Sequence, residues 1–148
     1  MDELYSPEIL ALAADVPFVG ALEDADVVAT ATSRICGSRL RMWAVFAPDG
    51  GAIARLGVEI RACALGQAAA AIVLLELPGL AEDAIRAGRD AFHRFLKEAG
   101  PPPGPPFDGL AVLAPVRDWP ARHGAVMLPF EAALKAFALA RERRSGSG

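Results

Sequence analysis

Four side chains in this sequence have soft-metal or nucleophilic chemistry: Cys36, Cys63, His93 and His123. A thiolate is both a metal ligand and a nucleophile, so what matters at each cysteine is whether its surroundings favour the anion. Cys63 stands directly before Ala64-Leu65-Gly66-Gln67 and a run of small apolar residues that reads as a helix. A cysteine at a helix N-terminus has its thiolate stabilised by free backbone N–H groups and by the dipole. Cys36 precedes Gly37, which permits a tight turn where a strand ends and would bring its sulfur to the same end of the sheet. Two cysteines are no disulfide framework, and a reducing compartment keeps them as thiols. Three readings stand side by side: a pair of metal ligands, a dithiol redox couple, and ordinary buried cysteines acting as small hydrophobes.

Other chemistries have little to stand on. The sequence contains no Ser/His/Asp set, no paired-carboxylate site and no glycine-rich phosphate loop followed by lysine, so no enzyme is expected. The formal charge of -3, with no stripe of arginines and aromatics, argues against nucleic acid. The longest apolar stretch, Ala62 to Ala81, is interrupted by Gln67, Glu76, Pro78 and two glycines, which would be costly at bilayer depth. No membrane span is expected. Met1-Asp2-Glu3-Leu4 is acidic and lacks the basic flank and apolar core of an export signal, so the expected location is cytoplasmic.

The elements that must position these residues follow from patterning. Hydrophobic residues make up 53% of the chain against 22% charged, enough to offset the entropy of ordering one compact domain. That domain is expected over residues 1–144, with 145–148 as a flexible or artificially appended tail. Ser6-Pro7-Glu8 opens a short helix, with Ser6 as N-cap and proline at the first helical position. Period-two patterning predicts strands over 26–33, 39–47 and 52–61, the last two joined through Pro48-Asp49-Gly50-Gly51 as a hairpin. In the middle strand Leu40, Met42, Ala44 and Phe46 share one face. In the next, Ala54, Leu56, Val58 and Ile60 share one face, opposite Ile53, Arg55 and Gly57. A largely buried helix follows Cys63. Residues 81–99 carry Ile85, Gly88, Phe92, Phe95 and Leu96 on one face of another helix. A stiff Pro101–Pro106 spacer leads towards a closing helix predicted over 129–144. The fold class is therefore α+β: a three-stranded antiparallel sheet with helices packed on one face.

The contexts of the two cysteines carry a resemblance. Ser33-Arg34-Ile35-Cys36-Gly37-Ser38-Arg39-Leu40 resembles the Pro-x-Cys-Gly-Asp-x-Ile/Leu segment of the NifU/IscU/SufU-type iron–sulfur cluster assembly scaffold family. Arg61-Ala62-Cys63-Ala64, with the small-residue helix after it, resembles the family's Gly-Cys segment. Trp119-Pro120-Ala121-Arg122-His123-Gly124-Ala125 resembles the Pro-x-Arg/Lys segment that leads into the family's third cysteine. By this alignment the third cysteine falls on Ala125 and the aspartate of the first motif falls on Ser38, so the chain is similar to a degenerate member.

The resemblance implies an α+β scaffold fold and a protein that is not an enzyme. Its expected function is to bind iron or a nascent iron–sulfur cluster, or to accept sulfur, through Cys36 and Cys63, with a cysteine desulfurase as partner. A cluster or a tetrahedral zinc generally needs four donors per centre, and two cysteines supply half. His123, two residues before Ala125, is the nearest candidate for a further ligand. A homodimer sharing one cluster, or small thiols from solution, would also complete the set. The alternative is a chain that kept the fold, binds no metal or cofactor, and engages a partner through the old docking surface.

Overall fold

The computed structural model describes residues 4–146 of the chain. Ser6 accepts a hydrogen bond from the backbone N–H of Ile9 at 3.2 Å and so caps α1 (Pro7–Ala13), with Pro7 at the first helical position. Three strands follow, β1 (Val27–Thr32), β2 (Arg39–Phe46) and β3 (Ile53–Arg61), paired antiparallel in the order β1-β2-β3. Alternation decides which face is buried. Val27, Ala29 and Ala31 point into the core with Leu40, Met42 and Ala44, while Val28, Thr32, Arg39 and Arg41 point out. The predicted hairpin forms, its turn closed by Gly50 N–H donating to the Ala47 carbonyl at 2.8 Å.

The third strand departs from simple alternation at two places. A register irregularity at Val45/Phe46 makes Phe46 pair with Ile53 while Val45 pairs with Arg55. The extra residue turns Ile53 inward and leaves Ala54 and Arg55 both exposed, the reverse of the face expected for 53 and 54. Farther along, the segment Phe18–Gly20 lies along the free edge of β3: Gly20 N–H donates to the Val58 carbonyl and Val58 N–H to the Phe18 carbonyl, both at 2.8 Å. This covers an edge that would otherwise offer unpaired backbone groups. It also explains glycine at 57, where a Cβ would run into the Gly20 carbonyl oxygen.

The helices pack on the apolar face, giving the α+β architecture expected from the sequence. The helix α2 (Ala64–Leu74) is buried nearly all round, and its alanines let it lie close to α1 and to the last helix. By contrast α3 (Glu82–Lys97) buries only Ile85, Gly88, Phe92, Phe95 and Leu96, the stripe its sequence predicts. The proline-rich spacer then leads into a 3-10 segment, Asp108–Asp118, which plants Leu110, Leu113 and Val116 in the core, and a second one, Pro120–Arg122.

The last helix, α4, spans His123–Gly146 and crosses β1 and β2. It starts six residues before the predicted Pro129, which lies inside it. Proline has no N–H, so the Ala125 carbonyl loses its helical donor, while tertiary contacts hold the preceding turn in place. At the other end Ser145 and Gly146 continue the helix past Arg144; Ser147 and Gly148 of the expected tail lie outside the described residues. One continuous core joins residues from α1, all three strands and every later helix.

Candidate functional site at the cysteine end of the sheet

In the β2/β3 ladder Arg39 pairs with Arg61, so Cys36, three residues before Arg39, and Cys63, two after Arg61, emerge at the same end of the sheet. The turn bearing Cys36 is closed by two backbone hydrogen bonds: Ser33 N–H to the Ser38 carbonyl at 2.7 Å and Gly37 N–H to the Ser33 carbonyl at 2.9 Å. Gly37 has φ 73°, a left-handed conformation that side chains disfavour. Both cysteines are free and half-buried.

The turn folds two buried serines around the first sulfur. Cys36 Sγ lies 3.3 Å from Ser33 Oγ and 3.1 Å from Ser38 Oγ. As a thiol it donates its S–H to a hydroxyl; as a thiolate it accepts O–H from both. Burial pushes the Cys36 thiol up, but hydrogen bonds from Ser33 and Ser38, the Ser38 backbone N–H and the charge of Arg122 outweigh that effect. The thiol therefore titrates below its ordinary value, as a nucleophilic or metal-binding cysteine requires. Cys63 is the N-cap residue of α2; its extended backbone (φ -65°, ψ 170°) lets its carbonyl accept from Gln67 N–H at 3.0 Å, and its side chain makes no cap bond. Gln67 Nε2 donates to the Ala62 carbonyl at 2.9 Å and pins the segment leading into Cys63.

The start of α4 closes the third side. A Cβ built on Gly124 would come 2.5 Å from Ser33 Oγ, so the helix lies directly on the Cys36 turn. On the α2 side, a Cβ at Gly66 would meet Ala62 Cβ at 2.9 Å, the Ala125 carbonyl oxygen at 3.2 Å and Ala125 Cβ at 3.4 Å. Ala125 therefore sits in a fully buried niche between the Cys63 segment and the helix residue that abuts the Cys36 turn. Position 125 thus packs beside the segment leading into Cys63, its neighbour Gly124 packs on the Cys36 turn, and the side chain at 125 is a methyl group.

His123 faces elsewhere. Its ring is buried, Nε2 lies 2.8 Å from the Val116 carbonyl, and the charges that act on it are Lys97 and His93 of α3. A carbonyl only accepts, so Nε2 carries the proton, and Nδ1 is left buried without a hydrogen-bond partner among the described residues. Burial, followed by Lys97 and His93, pushes the imidazole below its ordinary value, against the raising effect of the Val116 and Arg117 backbone. Among the described residues no group of three or more His, Cys, Asp or Glu is placed to hold a metal ion. The helical start of α4 turns His123 toward Val116. His93, on the exposed side of α3, is outside the site.

Ser33 and Arg122 act on Cys36 but were not among the expected site residues, although Arg122 fills the basic position of the Pro-x-Arg/Lys segment. The sequence signal for Ser33 is its proximity to Cys36, and for Arg122 it is the motif position itself. What the arrangement offers chemically is an activated thiol, a second thiol at a helix start, and two of the four donors a metal centre needs.

No protein-family model matches the chain, and no curated protein matches it. Solved structures do. A nitrogen-fixing NifU-like protein (N-terminal) from Brucella abortus is 35% identical, with a TM-score of 0.89 over 96% of this chain and 97% of that one. A structure described as an iron–sulfur cluster assembly scaffold protein for the SUF system, from thermophilic Fervidobacterium islandicum AW-1, is 21% identical, with a TM-score of 0.73 over 92% of this chain and 98% of that one. The second likeness is one of fold alone; the first extends to sequence along the full chain.

Proposed function

Because this chain belongs to the NifU-like family, we propose that it serves iron–sulfur cluster assembly as a scaffold-type protein, binding iron or a nascent cluster, or accepting sulfur, through Cys36 and Cys63. The observation that carries this reading is the Cys36 turn, where the Ser33 and Ser38 hydroxyls lie within hydrogen-bond reach of the sulfur at the sheet end shared with Cys63, and together with Arg122 they favour its thiolate. Cys36 supplies the reactive thiol and Cys63 the second donor. With Ala125 at the third position, one chain gives two thiolates, so a cluster takes its remaining donors from a second protomer or from small thiols. The partner that fits sulfur acceptance is a cysteine desulfurase, and the setting is the cytoplasm, where thiols stay reduced. One domain spanning 1–144 carries the whole site. In this role the protein is a carrier, with the cluster as its cargo.

Anaerobic reconstitution with iron and sulfide tests the reading. The expected result is a visible chromophore that is lost in both Cys36→Ser and Cys63→Ser. A colourless product, together with no metal in protein purified without air, would overturn it. That outcome would favour the second reading, a fold-only partner-binding protein, for which the buried methyl of Ala125 is the specific observation.

A further inference from the structure

Four arginines gather at the cysteine end of the sheet. Arg34 lies in the Cys36 turn, two residues from the sulfur. Arg39 opens β2 and faces Arg61 across the ladder, and Arg61 closes β3 two residues before Cys63. Arg122 comes close enough for its charge to act on Cys36. Arg34, Arg39 and Arg61 are exposed, and none of the four makes an ion pair among the described residues. Five arginines elsewhere have a partner: Arg55 with Asp24, Arg86 with Glu82 and Asp83, Arg89 with Asp90, Arg141 with Glu82, and Arg117 over the Phe95 ring. The nearest carboxylate in the ladder, Glu59, faces Arg41 one step inward. Two like charges placed directly opposite, as Arg39 and Arg61 are, weaken a sheet. On a chain of net charge -3, this end of the sheet is locally positive, and Arg122 is the arginine whose charge reaches Cys36.

We propose that Arg34, Arg39, Arg61 and Arg122 determine donor specificity at Cys36, selecting small anionic sulfur donors, the hydrodisulfide and polysulfide anions, over neutral or cationic ones. The inference rests on the reading of Cys36 as a sulfur acceptor. A surface patch of one sign of charge concentrates ligands of the other sign and speeds their encounter. The chemistry needs no added oxidant. The Cys36 thiolate attacks the terminal sulfur of a hydrodisulfide anion; the Sγ–S bond forms as the S–S bond breaks, and the electron pair departs with hydrosulfide. The sulfur atom transferred keeps its oxidation state, and the product is a persulfide on Cys36.

The test uses the full chain carrying Cys63→Ser, so that Cys36 alone reports. Its rates with dithionitrobenzoate (dianionic), dithiodipyridine (neutral) and cystamine (dicationic) are each divided by the rate with free cysteine. The expected preference for the anionic over the cationic reagent is about tenfold or more at low salt. It should shrink at high salt and in the added Arg39→Gln/Arg61→Gln pair, whose fold is checked by circular dichroism. Polysulfide should then add one sulfur to Cys36, seen by mass, more slowly in the arginine variant. A normalised preference near one, or one untouched by salt and by the arginine changes, would overturn the proposal. So would an anionic preference without sulfur gain from polysulfide. Reconstitution with iron and sulfide reads the scaffold function separately: a charge preference that survives a failed reconstitution leaves the arginine patch standing and removes the scaffold.

Discussion

At His123 the cost of burying an ionisable ring becomes a pH dependence of the fold. In the folded chain the imidazole sits below its ordinary value of 6.5, first through burial and then through Lys97 and His93, which together outweigh the opposing effect of its Nε2–H bond to the Val116 carbonyl. The unfolded chain therefore binds the proton more readily. Stability should fall as pH drops below the ordinary histidine range and level off below the folded pKa. The thermal midpoint is expected to be lower at about pH 5.5 than at about pH 7.5, and His123→Gln should flatten that difference. Identical slopes in both proteins would assign the effect to other groups. Ala125 gives the complementary prediction, because its niche adjoins Gly66 and Ala62 and lies one residue from the glycine that abuts Ser33. Ala125→Cys should place a third thiol there and raise zinc affinity by about tenfold or more, measured by competition with a chelator. Unchanged affinity in a folded variant would mean that position 125 does not converge with Cys36 and Cys63.

Among the elements, two glycine positions separate a contact that can yield from one that cannot. At Gly124 a new Cβ meets the Ser33 side chain, which can rotate away. Gly124→Ala should leave the chain folded but weaken the Ser33–Cys36 contact, so that alkylation of Cys36 by iodoacetamide near neutral pH slows. At Gly57 the obstacle is the Gly20 carbonyl, which is itself tied to β3 by backbone hydrogen bonds. Gly57→Ala should therefore destabilise the fold by roughly 1–3 kcal/mol in denaturant titration while leaving Cys36 reactivity intact. The same contrast explains what the sequence discloses. The alternation of Leu40, Met42 and Ala44 names the buried face of β2 outright, and the small residues after Cys63 announce α2. The irregularity at Val45/Phe46 changes which of Ile53 and Ala54 is buried without altering composition, so periodicity misplaces both. Pro129 reads as a first-turn proline, although tertiary packing starts α4 at His123. The 3-10 run 108–118, with Gly109 and Pro115 inside it, follows neither helical nor strand periodicity. For the site, Cys36 and Cys63 were legible from their neighbours in the chain. The closeness of Ser33 and Arg122 to the Cys36 sulfur, and the diversion of His123 to Val116, exist only once distant segments meet.

For the whole molecule, donor number and charge together set the assembly state. Each chain carries two cysteines and a cluster takes four donors, so a cluster held by protein alone needs two chains. The sulfurs lie at one end of the sheet, where Ile35 in the Cys36 turn is 75% exposed, so that end is open to another copy. Two unloaded copies brought together there would oppose their arginines, and like charges facing each other across an interface disfavour association. A cluster bound by four thiolates carries net negative charge and would offset that repulsion while bridging the chains. Cluster loading, rather than protein concentration alone, should then drive dimer formation. Native mass spectrometry is expected to find the metal-free chain monomeric at micromolar concentration and the iron- and sulfide-loaded protein as a dimer carrying one cluster. Cys36→Ser should abolish the dimer. The Arg39→Gln/Arg61→Gln pair should let some metal-free dimer form by lowering the repulsion. A loaded monomer that loses its cluster when small thiols are dialysed away would instead assign the missing donors to solution, and metal-free and loaded proteins of equal mass without any such thiol dependence would exclude a shared cluster altogether.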